Sequence, residues 1–429
     1  MSLQTSHASN EFRKMHLVTI CSQYSPHKGP LSGFLQVYFA THKALGSNDR
    51  RYIRTHLFTI WRRLPIYLSI LALRLKIDAL PSSLLPWDFL TPEQKKEYWQ
   101  NIVELYYSNE PPFSFDKMSA NFFGYGVPER SFQRLLSEFQ DLEGNAEAAY
   151  KKAREISIVQ LSPPQIDLRA NSLKCTTKEL LSLLPSSWKA EELAFASTAI
   201  TINPPDNERS QITTHDLFRK GFYEIQDRSS QATLGLLPQL GSNHRILDYC
   251  AGAGGKSLAL LGRLQSGQHQ QNMGVNNLTD FTSTLSLHDI RQAPLDEARK
   301  RLARAGAKAH FLAPGKTHNS LHASYDLVLI DAPCSGSGTW RRQSELKWIF
   351  SDLALNERIA KNRKLVDEAL HFSKPYGLIL YITCSVFPSE NELFIKDLEC
   401  AGKLQKLKEH RFDPTENSDG FYAALCKKI

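Results

Sequence analysis

The chain has 429 residues, of which 41% are hydrophobic and 22% charged, a balance that excludes a disordered chain and suggests two or three domains. Lysine and arginine number 52 against 44 aspartate and glutamate, so the formal net charge is +8. This excess favours a polyanionic partner, although a solvated basic surface explains it equally well.

The longest apolar run starts at Leu64 and is broken by Arg74, so it is too short to span a bilayer. No signal-peptide pattern opens the chain, and we expect a cytoplasmic protein with no membrane partner. The seven cysteines include no Cys-x-x-Cys pair, which argues against a metal site and against a disulfide framework. Single thiols therefore remain candidates for chemistry.

The N-terminal third is predicted to be mainly helical. Residues 1–30 are polar and are interpreted as a tail. Residues 31–150 place apolar side chains three and four positions apart, which predicts helices. One helix is expected to begin at Pro92 with Thr91 as its N-cap.

The rest of the chain shows two further patterns. Residues 151–235 contain short apolar runs separated by prolines, which predicts a small α+β subdomain. In residues 236–429, strands such as RILDYCAG and YDLVLIDAPC alternate with helical stretches. Such alternation predicts an α/β fold with a parallel, doubly wound sheet that binds ligands at the carboxyl ends of its strands.

A glycine-rich turn joins the first of these strands to a helix in ILDYCAGAGGKSLALL, residues 246–261. Such a turn brings backbone amides close to a ligand. A phosphate-binding loop would need glycine where Cys250 stands, and a dinucleotide fingerprint would need glycine where Ser257 stands. The residues at these two positions favour a nucleoside cofactor, while a turn with a purely structural role remains the alternative.

Three more residues lie just beyond predicted strands. Asp289 follows the next strand, where a carboxylate can accept hydrogen bonds from ribose hydroxyls or cap a helix. Cys334 and Cys384 each follow a hydrophobic strand. One such cysteine is usually a small buried apolar residue, but two thiols from different strands can face one cleft.

The motifs LDYCAGAGGKS, DAPCSGSG and TCSVFPSENE, with DLRANSLK, GFYEIQDRSSQ and DGFYAALCKK, resemble the Sun/RsmB (NOL/NOP/Sun) family of RNA cytosine-5 methyltransferases. They run in the family's order over roughly residues 160–429. The helical region is similar to the NusB-like domain of the bacterial RsmB-like branch. The resemblance implies a NusB-like domain over 31–150, an RRM-like subdomain over 151–235 and a Rossmann-like class I methyltransferase domain over 236–429.

The resemblance also implies roles for individual residues. Cys384 would be the nucleophile, Cys334 would assist release of the methylated base, and Asp331 would bind the cytosine edge. The reverse assignment of the two cysteines is the alternative, because DNA cytosine methyltransferases use the proline-cysteine thiol. S-adenosyl-L-methionine would be held by Cys250, Ala251, Gly252, Ala253, Gly254, Gly255, Lys256, Asp289 and Asp331.

The sequence departs from the family pattern at three places. Ala253 replaces a usual proline, and Gly315 stands where an acidic residue near the adenine is expected. A polar insertion, about residues 265–284, precedes Asp289 and is interpreted as a surface loop. Alanine at position 253 should leave the backbone of the glycine-rich turn able to bind the cofactor. Glycine at position 315 removes one expected contact with the adenine.

RNA is the expected partner, with 16S-type ribosomal RNA preferred and tRNA as an alternative. A non-catalytic RNA-binding or ribosome-assembly factor is a further alternative, and an amino-group methyltransferase is disfavoured because its Asn-Pro-Pro-Tyr loop is replaced by DAPC. We expect a monomer without metal. The predicted phosphate contacts are Arg50, Arg51, Arg54, Arg62, Arg63, Arg341, Arg342 and Lys347.

Overall fold

A computed structural model describes residues 2–75, 90–108, 126–240, 243–269, 285–315 and 319–429. The chain folds into two compact units. The helical unit comprises Met1–Pro163 and Thr339–Ala354, and the sheet unit comprises Pro164–Gly338 and Leu355–Ile429. Within the described ranges, no helix is long and apolar enough to cross a membrane.

The helical unit contains the helices expected from the apolar spacing. Its core is built around the fully buried indoles of Trp61 and Trp99. Thr91 caps one helix as predicted, since its side chain accepts a hydrogen bond from Gln94 N. The helices are α1 (Ser2–Gln23), α2 (Leu31–Thr41), α3 (Ser47–Leu75), α4 (Pro92–Tyr107), α5 (Glu129–Glu143) and α6 (Ala146–Val159).

The prediction of a polar tail over residues 1–30 is wrong. The structure forms helix α1 there, and Leu17, Ile20 and Cys21 are buried in the same core as the tryptophans. These three side chains are spaced three and four positions apart, so they lie on one face of α1. Their burial against α3 and α4 stabilises a helix that local composition does not suggest.

Three predicted RNA contacts are also wrong, because the side chains are buried inside the helical unit. Lys347 is 1% exposed, and its ammonium donates to Arg62 O (2.7 Å) and Gly126 O (2.8 Å). Arg341 is fully buried, and Arg62 Nε donates to its carbonyl oxygen at 3.0 Å. Arg62, Arg341 and Lys347 therefore hold this unit together and do not face RNA.

The other predicted phosphate contacts keep some access to solvent. Arg51, Arg54 and Arg63 are exposed, and Arg50 and Arg342 are half-buried. These five side chains remain candidates for contacts with RNA.

The sheet unit begins with a four-stranded antiparallel sheet in the order β2-β3-β1-β4. Its strands are β1 (Ile166–Ala170), β2 (Glu191–Glu192), β3 (Ala199–Ile202) and β4 (Tyr223–Ile225). Helices α7 (Thr177–Leu183), α8 (Asp216–Arg219) and α9 (Arg228–Ala232) accompany it. Trp188 and Tyr223 are fully buried in its core.

The seven-stranded sheet confirms the predicted Rossmann-like α/β core. Its order is β10-β11-β9-β8-β5-β6-β7, with β5 to β9 parallel and β11 antiparallel to both neighbours. The strands are β5 (Ile246–Asp248), β6 (Leu285–Leu287), β7 (His310–Phe311), β8 (Tyr325–Asp331), β9 (Ser373–Thr383), β10 (Leu404–Phe412) and β11 (Phe421–Lys428). The helices are α10 (Gly255–His269), α11 (Gln292–Ala305), α12 (Asp352–Phe372) and α13 (Glu392–Cys400).

The topology brings the motif residues to one edge. Strands β5, β6, β8 and β9 are parallel, so their carboxyl ends meet at the same side of the sheet. Asp248, Asp331 and Cys384 end or follow three of these strands. The polar insertion lies mostly outside the described residues, since 270–284 are not described.

Candidate active site

The glycine turn runs from the end of β5 into α10 and depends on glycine at two positions. Gly252 and Gly254 have positive φ angles of 50° and 76°. A Cβ on Gly254 would lie 3.0 Å from Ala298 Cβ, so glycine also allows α11 to pack against the turn. Ala251 N donates to His288 O at 2.8 Å, which joins the turn to the end of β6.

The small sheet holds this turn from its far side. Arg169 of β1 donates to Gly255 O at 3.0 Å, and Arg301 of α11 donates to Ala253 O at 3.1 Å. Glu224 of β4 is buried and forms ion pairs with Arg301 (3.1 Å) and Arg304 (2.5 Å). No role is predicted for these residues from the sequence, although Arg169 and Glu224 lie in the motifs DLRANSLK and GFYEIQDRSSQ.

Lys256 and Asp331 form an ion pair at this edge. Lys256 Nζ donates to Asp331 Oδ2 at 2.8 Å, and the lysine side chain is only 10% exposed. Burial opposes the charged ammonium, but the carboxylate of Asp331 outweighs it and raises the pKa of Lys256. The lysine therefore stays protonated beside the predicted cytosine ligand.

Asp248 lies beneath the pair at the end of β5. Its carboxyl accepts a hydrogen bond from Ser257 Oγ at 2.5 Å. Burial raises the pKa of Asp248 to about 7, in spite of that bond and of nearby Lys256.

Asp289 is already bound by its own neighbours. Its Oδ1 accepts from Arg291 N (2.9 Å) and Nε (3.0 Å), and its Oδ2 accepts from Gly252 N (3.0 Å) and Arg291 Nη2 (3.1 Å). Burial by itself raises the pKa of Asp289, but these bonds outweigh it and lower the pKa below its usual value. The carboxylate is thus ionised and tied to the glycine turn.

The structure brings Cys334 and Cys384 together. Cys334 Sγ and Cys384 Sγ are 3.3 Å apart, and Cys384 N donates to Cys334 Sγ at 3.3 Å. The hydrogen bond with Cys384, together with burial, raises the pKa of Cys334 well above its usual range. A thiol with a raised pKa keeps its proton and is a poor nucleophile at neutral pH.

Side chains of the ENE segment and of α12 position the two cysteine loops. Glu390, 1% exposed, accepts hydrogen bonds from Ser335 N (2.9 Å) and Ser335 Oγ (2.6 Å). Arg358 donates to Cys334 O at 3.0 Å. Asn391 accepts from Thr383 Oγ1 at 2.6 Å, next to Cys384. Glu390 and Asn391 belong to the family motif, but no role is predicted for them or for Arg358 from the sequence.

A cavity of about 240 Å³ collects most of the predicted cofactor residues. Ala251, Gly252, Ala253, Gly255, Lys256 and Asp331 line it, together with Gln226 and Ser230 from the neighbouring small sheet region. Cys250, Gly254 and Asp289 do not line it. Burial raises the pKa of the Cys250 thiol well above its usual value.

Two further expectations concern ligands. Gly315 has a φ of 68° and lies in a loop after β7, with no side chain to offer an adenine. Among the residues that the structure describes, no group of three or more His, Cys, Asp or Glu side chains is placed to hold a metal ion.

Part of the chain matches the model of a known family. Residues 235–427 match the model described as 16S rRNA methyltransferase RsmB/F. The chain is 30% identical over 332 residues to ribosomal RNA small subunit methyltransferase B of Enterobacter sp. (strain 638), covering 70% of this chain and 72% of the relative. It is 29% identical to the protein of that name from Pasteurella multocida (strain Pm70), covering 66% of this chain and 63% of the relative.

Solved structures share the fold. The crystal structure of PH0851 superposes with a TM-score of 0.67 at 20% identity, covering 97% of this chain and 98% of that chain. NSun6 from Pyrococcus horikoshii with SFG gives a TM-score of 0.52 at 16% identity, covering 69% of this chain and 98% of that chain. These likenesses support the mixed α/β methyltransferase fold.

Proposed function

The chain belongs to the RsmB/F methyltransferase family, and from that premise we propose that it methylates carbon 5 of a cytosine in small-subunit ribosomal RNA. The observation that carries this proposal is the approach of Cys334 and Cys384 to 3.3 Å beside the Lys256–Asp331 pair. An amino-group transfer needs no thiol, whereas methylation at carbon 5 requires one to activate the ring. The relatives' names supply the RNA class.

The residues present fit S-adenosylmethionine as cofactor. The turn through Gly252 and Gly254 offers a close backbone approach, and Asp289 offers a buried, ionised carboxylate for ribose hydroxyls. When bound, the cofactor supplies an electrophilic methyl group. Arg291 covers Asp289, so its guanidinium has to leave that carboxylate before ribose can bind.

Cys384 is the nucleophile in this proposal. Its thiolate adds to carbon 6 of cytosine, which forms a sulfur–carbon bond and moves an electron pair to carbon 5. Asp331 accepts a hydrogen bond from the cytosine edge and is held in place by Lys256. Methylation of carbon 5 would release S-adenosylhomocysteine. Carbon 5 then loses its proton to solvent water, and the electron pair of the broken carbon–hydrogen bond expels the Cys384 sulfur as a thiolate.

Cys334 assists that release. Because its pKa is raised, it holds its proton at neutral pH, and its sulfur lies 3.3 Å from Cys384 Sγ. It can therefore donate a hydrogen bond to the departing thiolate.

RNA binding is assigned to the N-terminal regions. The exposed Arg51, Arg54 and Arg63 of α3 would contact phosphates from the NusB-like region, residues 31–150. The four-stranded sheet would contribute the RRM-like surface within 151–235. The described site residues all come from one unit of one chain, so we propose that a monomer is active.

The test is a denaturing-gel assay for covalent RNA adducts. Wild type, Cys384→Ser and Cys334→Ser are each incubated with cofactor and either small-subunit ribosomal RNA or tRNA. We expect Cys334→Ser to accumulate an adduct with ribosomal RNA and Cys384→Ser to form none. An adduct only with Cys384→Ser would exchange the two roles, and adducts confined to tRNA would change the substrate class.

Absence of both adduct and methyl transfer with either RNA would overturn the proposal in favour of an RNA-binding or assembly factor. A cofactor-binding measurement on the wild type accompanies the gel, because such a factor has no need of S-adenosylmethionine. The far-ultraviolet circular dichroism of each variant controls for folding.

A further inference from the structure

The residue that follows each cysteine of the candidate active site binds to one buried carboxylate. Glu390, 1% exposed, accepts hydrogen bonds from the amide (2.9 Å) and the hydroxyl (2.6 Å) of Ser335, which directly follows Cys334. Burial raises the pKa of Glu390, and hydrogen bonds from the side chains of Ser335 and Ser385 oppose that rise. Ser385 directly follows Cys384, so a single carboxylate connects the two cysteine loops.

Three serine hydroxyls join the two loops beside that carboxylate. Ser335 Oγ lies 3.2 Å from Ser385 Oγ, and Ser337 Oγ lies 3.0 Å from the first and 3.1 Å from the second. Val386 N donates to Ser337 Oγ at 2.9 Å, and Phe387 N donates to Ser385 Oγ at 3.0 Å. Because hydrogen bonds are directional, these contacts fix the spacing of the loops.

Glu390 supports the Cys334 loop more than it supports Cys384. Cys384 directly follows β9, and its carbonyl oxygen accepts a hydrogen bond from Gly338 N at 2.9 Å. Cys334 lies in a loop, three positions after Asp331, where β8 ends. Loss of the carboxylate should therefore displace Cys334 more than it displaces Cys384.

The position of Cys334 determines how well it can assist a departing sulfur. The Sγ atoms of Cys334 and Cys384 are 3.3 Å apart, close enough for one thiol to donate a hydrogen bond to the other sulfur. A misplacement of about 1 Å between reacting groups can cost about 10²-fold in rate. The hydrogen bond with Cys384 and burial raise the pKa of Cys334, and the negative charge of Glu390 adds to that rise. The carboxylate therefore also helps Cys334 to keep its proton.

We propose that Glu390 is a positioning residue for release of the methylated base. Through Ser335 it keeps Cys334 Sγ within hydrogen-bond reach of the departing Cys384 thiolate, and it acts through Cys334 and not on the base itself. This inference rests on the proposed function, in which Cys384 attacks the base and Cys334 assists release. It adds a residue that controls how long the covalent adduct lasts.

The test separates formation of the covalent adduct from its breakdown. Full-length wild type, Cys334→Ser and Glu390→Gln are mixed with cofactor and small-subunit ribosomal RNA, quenched at successive times and run on denaturing gels. Glutamine keeps the length of the side chain but loses the charge and one acceptor oxygen. We expect Glu390→Gln to form the adduct within about threefold of the wild-type rate and to break it down at least about tenfold more slowly.

A double-mutant cycle shows whether Glu390 acts through Cys334. In Cys334→Ser the assisting thiol is already absent, so the addition of Glu390→Gln should slow breakdown by less than about twofold further. A carboxylate that only stabilises the fold would slow breakdown equally in both backgrounds. That result would overturn the inference.

A second variant and a control accompany Glu390→Gln. Ser335→Ala removes one hydrogen bond to the carboxylate and keeps its charge, so it should slow breakdown by about two- to tenfold. It tests the inference even if the Glu390 variant does not fold. Asp397→Asn removes a carboxylate of α13 that pairs with Arg363 at the surface, and it should leave both rates unaltered.

The outcomes separate this inference from the proposed function. If Cys334→Ser accumulates adduct while Glu390→Gln and Ser335→Ala break it down at the wild-type rate, the inference is overturned and the proposed function stands. Slower formation with unchanged breakdown would connect Glu390 to Cys384 and would also overturn the inference. If none of the proteins forms an adduct, both fail.

Discussion

Two buried lysines show how differently the two units use charge. In the sheet unit, Lys256 lies against the carboxylate of Asp331, which raises its pKa. In the helical unit, the partners of Lys347 among the described residues are two backbone carbonyls, and burial with nearby Arg62 lowers its pKa well below the usual value. Lys256, which has an ionic partner, positions a carboxylate of the candidate active site. Lys347, which is held by carbonyl oxygens, stabilises the packing of its segment in the core.

This comparison predicts that Lys256→Met damages activity. The substitution removes the cation that holds Asp331, so we expect methyl transfer to fall at least about 100-fold. Turnover under saturating cofactor and RNA is the measurement, and Cys384→Ser provides the fully inactive reference. Turnover within about threefold of wild type would show that Asp331 needs no partner.

Lys347→Met should damage stability and spare the chemistry. Two buried carbonyl oxygens, of Arg62 and Gly126, lose their donor, which should lower the free energy of unfolding by about 3 kcal/mol. Urea denaturation provides the measurement. Lys403→Met, which removes an exposed pair with Asp367, is the control and should change stability by less than about 0.5 kcal/mol.

Asp248 should make stability depend on pH. Its pKa is raised from 3.8 to about 7 in the folded chain, so its contribution is complete below pH 4 and is lost as the pH rises to 7. The loss is at most about 4 kcal/mol. Asp248→Asn should flatten the decline between pH 4 and pH 7 in denaturation curves, and an unchanged slope would contradict the assignment.

Glu224→Gln should loosen the glycine turn. Without the carboxylate, Arg301 loses the partner that orients it toward Ala253 O, and we expect cofactor affinity to fall by about three- to tenfold. Isothermal titration calorimetry would record the change. Asp397→Asn breaks a surface pair with Arg363 and should leave cofactor affinity unaltered.

Arg291→Ala should have the smallest effect of these substitutions, and it should raise cofactor affinity where Glu224→Gln lowers it. Removal of the guanidinium that covers Asp289 should strengthen cofactor binding by about two- to fivefold, because the carboxylate no longer has to exchange partners. Lys300→Ala, at an exposed position of α11, is the control. Weaker binding in the Arg291 variant would mean that the arginine contacts the cofactor itself.

Local sequence patterns determined the Rossmann-like core and the candidate chemistry. Strand and helix periodicity are properties of neighbouring residues, so the alternation over residues 236–429 predicted the parallel strands. The positions of Cys334 and Cys384 just beyond two such strands predicted that their thiols share a cleft. Because parallel strands align their carboxyl ends, the prediction that the two thiols lie close together does not depend on the structure of the loops.

Only the tertiary structure decided which polar residues are exposed. The sequence predicts that three basic residues lie on the surface, yet all three are buried: Arg62, Arg341 and Lys347. Leu17 and Ile20 lie in the segment predicted to be a tail, and they are buried too. Burial depends on which distant segments pack over a side chain, and no local pattern records that. The ion pair between Glu224 and Arg301 was also decided by the tertiary structure, because the two residues are 77 positions apart in the sequence. Coulomb attraction depends on the distance in space and not on the separation along the chain.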